Sequence, residues 1–156
     1  MRGIGYVLLT AAAFTADQLG KRHSRRFYYD GSARTYGKGK ASVTIRNEHN
    51  RGMAMNAGEN HPSVIRWLNA LLIAILIPLF VVLLGRKGHG IVKTGTALLL
   101  GGGLSNLWDR FHDGYVTDYM SFGFGPKWFR RLVFNLGDFA IMAGMVMTVV
   151  GAAAED

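Results

Sequence analysis

Val64-Ile65-Arg66-Trp67-Leu68-Asn69-Ala70-Leu71-Leu72-Ile73-Ala74-Ile75-Leu76-Ile77-Pro78-Leu79-Phe80-Val81-Val82-Leu83-Leu84 is the stretch that decides the fold. A helix needs about 20 apolar residues to cross the hydrocarbon of a bilayer. This run supplies them with one charge, Arg66, near its start. Pro78 is tolerable because neighbouring helices can satisfy the carbonyl it frees. Outward from this block the pattern repeats. Residues 90–108 form another apolar block with Lys93 at its start, and 132–154 a third that carries Asp138. Gly3 to Ala16 reaches spanning length if Asp17 to Lys21 continue the same helix. The expectation is an α-helical integral membrane protein with four transmembrane helices, over 3–21, 64–84, 90–108 and 132–154. The whole chain, 1–156, then forms a single membrane domain with extramembrane segments 22–63 and 109–131.

The N-terminal block also suits a cleaved signal peptide, with Arg2, the apolar run Ile4 to Phe14 and the small residues Ala11-Ala12-Ala13. Against that stands Asp17-Gln18-Leu19-Gly20-Lys21, which would be stranded near the cut. The net charge of +8 raises nucleic acid as a partner. Much of that charge lies in 21–51, interleaved with Phe27, Tyr28, Tyr29 and Tyr36. Beside spanning helices, basic and aromatic residues fit anionic phospholipid headgroups better than nucleic acid. The chain has no cysteine, which removes a thiol nucleophile and thiolate metal sites. Its five histidines show no HExxH-type pairing, which disfavours a zinc protease. The expectation is of no metal and no other cofactor.

Within 22–63, Ser42-Val43-Thr44-Ile45-Arg46 alternates polar and apolar residues and predicts a short strand. Segment 109–131 reads as an aromatic, glycine-rich loop centred on Phe122-Gly123-Phe124-Gly125-Pro126-Lys127-Trp128, a composition suited to the headgroup level. Gly101-Gly102-Gly103 should let a neighbouring helix backbone approach closely. With four helices, both long segments fall on one membrane face, and the tight turn 85–90 and both termini on the other. Arg22, Arg25, Arg26, Lys38, Lys40, Arg130 and Arg131 outnumber Arg2, Arg86, Lys87 and Lys93. By the positive-inside rule the long segments would face the cytoplasm.

Asp138 sits in Phe134-Asn135-Leu136-Gly137-Asp138-Phe139, and no charge follows from Phe139 to Ala154. Ionisable groups at membrane depth are rare and usually functional. Asp118, in Gly114-Tyr115-Val116-Thr117-Asp118-Tyr119, is a candidate partner. Two carboxylates sharing one proton can activate water, since like charges at close range cannot both ionise. The plainer reading is that Asp118 ends a loop and that Asp138 caps the N-terminus of the last helix. Asp17 and Lys21, spaced by four, would share a helix face as an ion pair that supports the site. Asn106 offers donors and an acceptor suited to an extended peptide backbone. Asp109 and Arg110 beside it could equally form an interfacial salt bridge. In His49-Asn50-Arg51-Gly52-Met53-Ala54-Met55 the asparagine and glycine suit a turn and the methionines suit packing. Asn135 taken alone carries little signal.

Together and in order, Asp17-Gln18…Lys21, Asn50-Arg51-Gly52-Met53-Ala54, Asn106-Leu107-Trp108-Asp109-Arg110, Gly114 to Tyr119 and Phe134 to Asp138 resemble the motifs of lipoprotein signal peptidase. This is the bacterial signal peptidase II family of aspartic peptidases, and the resemblance covers nearly the whole chain. It implies an intramembrane aspartic endopeptidase that removes the signal peptide from diacylglyceryl-modified prolipoproteins, cutting before the lipidated cysteine. It implies Asp118 and Asp138 as the catalytic residues, and Asn50, Asn106, Arg110 and Asn135 as substrate-binding residues. Asp17, Lys21, Asp109 and Gly52 would support them. It further implies a monomer in the bacterial inner membrane, with globomycin as the family inhibitor. A small β-containing cradle would lie on the outer membrane surface. The site would face the periplasm with both termini inside, against the charge count. The chain departs from the family pattern at Met55 (usually Phe), Ser105 (usually Gly), Gly137 (commonly Ala), Tyr119 (frequently Phe) and Ser121 (often acidic). Two other readings stand: a silent member that binds lipidated peptides without cutting, and a small proton-coupled transporter relaying through Asp138.

Overall fold

The computed structural model describes residues 3–53 and 57–155. Its elements run α1 (Gly3–Phe27), β1 (Ala33–Tyr36), β2 (Val43–Asn50), α2 (Pro62–Gly85), α3 (Gly90–His112), β3 (Val116–Phe122) and α4 (Leu136–Glu155). Helix therefore dominates, with one small antiparallel sheet in the order β1-β2-β3.

Among the described residues two helices, α2 and α4, are long and apolar enough to cross a membrane, with mean hydropathies of 2.7 and 1.7 over their most apolar windows. A core helix of a soluble protein would hide such residues. Here only 11% and 17% of those windows is buried. Leu71, Leu72, Ile75, Leu79 and Val82 of α2 face outward, as do Met145, Val146 and Val149 of α4. An apolar surface of that extent is stable against hydrocarbon and not against water.

α3 is the central element. Successive residues of a helix turn by about 100°, and the triplet Gly101-Gly102-Gly103 uses this to meet three neighbours. A Cβ on Gly101 would lie 2.6 Å from Ala13 Cβ of α1, and one on Gly103 would lie 2.8 Å from Ile73 Cδ1 of α2. One on Gly102 would run into the Gly137 backbone of α4. Any side chain there would push a helix away, which is why small residues serve at such crossings. Next to this seam Tyr6, Ile73, Phe80, Ala97 and Leu100 form the apolar core.

α1 continues past Lys21 to Phe27 because its last turns dock on the sheet. Ser24 Oγ donates to the Arg46 carbonyl at 2.7 Å, and Arg25 Nε donates to Thr117 Oγ1 at 2.8 Å. The strand predicted at 42–46 is β2, which extends to Asn50. Segment 109–131, read as a loop, contains β3. Val116 to Tyr119 are buried in succession, so the strand lacks the alternation that would have marked it.

Two irregularities of the sheet position Asp118 and Asn135. β2 pairs Ile45 with Met120 and then Glu48 with Asp118, so β2 holds an extra residue beside Asp118. Bulges of this kind bend a strand and re-aim its side chains. A further bridge joins Met120 and Phe134, with Phe134 N donating to Met120 O at 2.7 Å. That bridge pins the chain entering α4 against β3, so Asn135 arrives next to Asp118.

Candidate active site

β3 sorts its side chains by strand alternation. Thr117 and Tyr119 point to α1, where they meet Arg25 and Asp17. Asp118, between them, points the other way, towards Asn50 and Asn135. One strand therefore separates a structural polar network from the candidate reacting groups.

The two carboxylates Asp118 and Asp138 are held by three asparagines, each used in the same manner. Asn50 accepts from Gly52 N at 3.0 Å and donates Nδ2 to Asp118 Oδ2 at 3.0 Å. Asn106 accepts from Lys21 Nζ at 2.8 Å and donates Nδ2 to Asp138 Oδ1 at 3.0 Å. Asn135 accepts from Asp138 N at 2.8 Å and donates Nδ2 to Asp118 Oδ1 at 2.6 Å. In each case the carbonyl oxygen is fixed by the scaffold and the amino group is aimed at a carboxylate. An amide donor holds a carboxylate in place without neutralising it.

Asn135 connects the pair. Its carbonyl accepts from Asp138 N while Asp138 Oδ2 accepts from Asn135 N at 3.1 Å. These reciprocal bonds make a capping box at the start of α4. Asp138 is thus the helix cap of the plainer reading and also a candidate reacting group.

Behind the pair lies a fully buried ionic cluster. Lys21 Nζ contacts Asp17 Oδ2 at 2.7 Å and Asp109 Oδ2 at 3.1 Å, all with side chains at 0% exposure. Ser105 Oγ donates to Asp17 at 2.6 Å, and Tyr119 Oη donates to Asp17 at 3.3 Å. Asp109 also accepts from Gln18 Nε2 at 2.9 Å and Thr117 N at 3.1 Å. Buried charges persist only when paired and hydrogen-bonded, and these are. Two departures from the family pattern, Ser105 and Tyr119, both place a hydroxyl on Asp17. A third, Gly137, leaves room for it, since a Cβ there would lie 2.8 Å from Asp17 Oδ2. Tyr119 Oη also accepts from Leu136 N at 3.1 Å, which ties the cluster to the first turn of α4. Ser121 accepts from Arg46 Nη2 at 3.1 Å.

Arg110 Nη2 donates to the buried Gly52 carbonyl at 2.8 Å and so holds the turn after Asn50. Its Nε has no hydrogen-bond partner among the described residues. Ala54 and Met55 lie outside the described residues. A cavity of about 80 Å³ opens on Asp118, lined by Glu48, His49, Asn50, Arg131 and Leu132 among others. His49 stacks on Tyr115 with ring centres 3.9 Å apart. Burial, then Arg25 and Arg51, hold its imidazole below the usual range. Burial, reinforced by the charge of Asp138, pushes the Asp118 carboxyl up to about 7.

Asp17, Lys21, Asn50, Gly52, Asn106, Asp109, Arg110, Asn135 and the two carboxylates thus form one connected constellation. Ser105, Thr117, Tyr119 and Arg25 belong to it as well, though the sequence alone assigned them no role in the site. The available signal was helical spacing: Asp17, Lys21, Ser24 and Arg25 recur along one face of α1.

The fold is shared with two solved bacterial membrane enzymes, determined in meso at 2.3 Å and 1.9 Å resolution. They superpose with TM-scores of 0.75 and 0.74 at 16% and 18% identity. The matches cover 97% and 95% of this chain and 88% and 92% of theirs. The class is therefore a mostly helical fold with a small antiparallel sheet, and in this chain it carries two carboxylates held by asparagines. The family model of signal peptidase (SPase) II matches residues 9–153, and the chain belongs to that family. It is 29% identical over 143 residues to a lipoprotein signal peptidase of Caldicellulosiruptor bescii, covering 91% of this chain and 86% of the relative. To one of Pseudomonas paraeruginosa it is 37% identical over 101 residues, covering 64% of this chain and 59% of the relative, less than two thirds of that protein. To one of Lactobacillus johnsonii it is 28% identical over 145 residues, covering 93% and 89%.

Proposed function

We propose that the chain is an intramembrane aspartic endopeptidase that removes signal peptides from diacylglyceryl-modified prolipoproteins, cutting before the lipid-bearing cysteine. Family membership supports the activity and the substrate class. The observation that carries the mechanism is the convergence of Asn50, Asn106 and Asn135 on Asp118 and Asp138, with Asn135 bonded to both.

In this mechanism Asp118, with its carboxyl raised to about 7, is the member that carries the shared proton at neutral pH. Asp138 takes a proton from a water molecule as the water oxygen attacks the scissile carbonyl carbon. Asp118 gives its proton to the carbonyl oxygen, which becomes the hydroxyl of a tetrahedral gem-diol. Collapse breaks the C–N bond, the amine leaves with the proton held by Asp138, and the second gem-diol proton returns to Asp118. No covalent enzyme intermediate is formed. Arg110 Nε is a donor for the substrate backbone beside the pair, and the asparagines fix where the carboxylates meet it.

α1 and α3 span the membrane alongside α2 and α4, with their polar stripes turned inward. At about 1.5 Å per residue, the 23 residues of α3 measure about 34 Å, enough for the hydrocarbon core. Trp67, Trp108, Phe111 and Trp128 are exposed around the carboxylate end, as an interfacial aromatic belt would be. The pair then sits at the edge of the bilayer, and the β-sheet lies over it as the cradle. The site faces the periplasm from the inner membrane, the protein acts as a monomer, and globomycin competes with substrate. The basic first segment contacts phospholipid headgroups. Purified protein should cleave a lipid-modified prolipoprotein, and Asp118→Asn and Asp138→Asn should insert normally without cleaving. Turnover by either variant near the wild-type rate would refute the mechanism. Topology reporters at Lys38 and Lys87 test the orientation, and a periplasmic Lys87 would reverse it.

A further inference from the structure

The end of α3 remote from the carboxylates holds a different charge cluster. A tight turn joins α2 to α3, and against it lies a cavity of about 460 Å³ lined by Tyr6, Leu84, Arg86, Lys87, Gly90 and Lys93 among others. Lys93 is only 6% exposed. Its ammonium donates to the Arg86 carbonyl at 2.5 Å and stands 6.0 Å from the centre of the Tyr6 ring. Among the described residues no carboxylate pairs with it.

The contrast with Lys21 is direct. Both ammonium groups are buried, but Lys21 lies between Asp17 and Asp109. A carbonyl and a ring face do not balance a full positive charge, and an ammonium has three donors to satisfy. Arg86 and Lys87 add two more cations to the same cavity wall, and among the described residues that line it there is no acid. The whole wall therefore calls for an anion. Its place in the fold narrows the choice. Lys93 and Arg110 are seventeen residues apart on α3, so the cavity lies about 25 Å along the helix axis from Arg110. That distance approaches the thickness of the hydrocarbon core, which puts the cavity at the opposite headgroup level.

We propose that this cavity binds a phosphate group, presented by the headgroup of an anionic glycerophospholipid. Lys93 is the buried anchor, and Arg86 and Lys87 close on the phosphate oxygens through charge-assisted hydrogen bonds. The acyl chains run along the exposed apolar face of α2 at Val81 and Val82. Basic pockets between membrane helices hold phosphate headgroups by this chemistry. The proposal is independent of the peptidase reading, since none of these residues touches Asp118, Asp138 or the asparagines.

The test uses the full-length protein in neutral detergent, with dioctanoyl phosphatidylglycerol, dioctanoylglycerol and inorganic phosphate as probes. Binding is read by native mass spectrometry and by the shift in Tm. Lys93→Gln is the direct variant. Because Lys93 is buried, the surface double variant Arg86→Gln/Lys87→Gln serves as the second, fold-neutral one. Phosphatidylglycerol should bind wild type and raise its Tm, and each variant should weaken binding by about 10-fold or more. Competition by inorganic phosphate would assign recognition to the phosphate alone. Its failure to compete would assign it to the lipid as a whole. The proposal is overturned if the double variant binds phosphatidylglycerol as wild type does. Equal binding of dioctanoylglycerol, or no binding of either phosphate probe to wild type, would overturn it as well.

Discussion

The Asp17–Lys21–Asp109 cluster and the Asp118–Asp138 pair lie side by side and treat their carboxylates in opposite ways. In the first, an ammonium is set between two acids, and Ser105, Tyr119, Gln18 and Thr117 complete their hydrogen bonds. In the second, the donors to the acids among the described residues are neutral amides. Burial, reinforced by the charge of Asp138, lifts Asp118 to about 7 against the opposing pull of its two amide donors and of Lys21. Lys21 joins the two halves through Asn106, holding that side chain so that its amino group faces Asp138.

The comparison breaks most sharply at the pair itself. Asp118→Asn or Asp138→Asn should lower cleavage by about 10³-fold or more, in line with the loss of a general acid or base. Lys21→Met should act on the other cluster. Leaving Asp17 and Asp109 buried without their cation should destabilise the fold by about 3–5 kcal/mol, read as a large fall in Tm in detergent. Asn50→Ala sharpens the contrast from the site side: cleavage should fall about 10-fold, with stability changed by about 1 kcal/mol.

The pH dependence follows from Asp118. Its folded-state carboxyl is raised above the ordinary 3.8, so its contribution to stability is fully present at low pH and is lost as pH rises through about 7. Wild-type Tm should decline between about pH 4 and pH 7 and level off above that, and Asp118→Asn should flatten the decline. Cleavage should also fall above about pH 7, as the shared proton leaves the pair. The smallest effect belongs to Tyr119→Phe. It removes the hydroxyl between Asp17 and Leu136 N and should cost about 1 kcal/mol, with a modest loss of rate.

Much of the helical frame was legible because apolar blocks of 18 or more residues have few alternatives. Asp138 was legible as a charge in an apolar setting. β3 was not, because Val116 to Tyr119 are covered on both faces and the period of two disappears. The asparagines were visible as polar residues in motifs, but the direction of each amide depends on donors from other elements: Lys21 from α1, Gly52 from the turn and Asp138 from α4. Ser105 and Tyr119 read as small departures from a pattern. Only the structure shows that both hydroxyls converge on Asp17.

The capping box at the start of α4 has a practical consequence. Asp138 keeps both of its bonds to Asn135 only while the first turn of α4 is intact, and otherwise Asn106 alone among the described residues holds its carboxylate. Fraying of that single turn would disarm the chemistry and leave every other helix standing. On warming, cleavage should therefore fail before the helical circular-dichroism signal does, making activity the most sensitive thermometer of this corner of the protein.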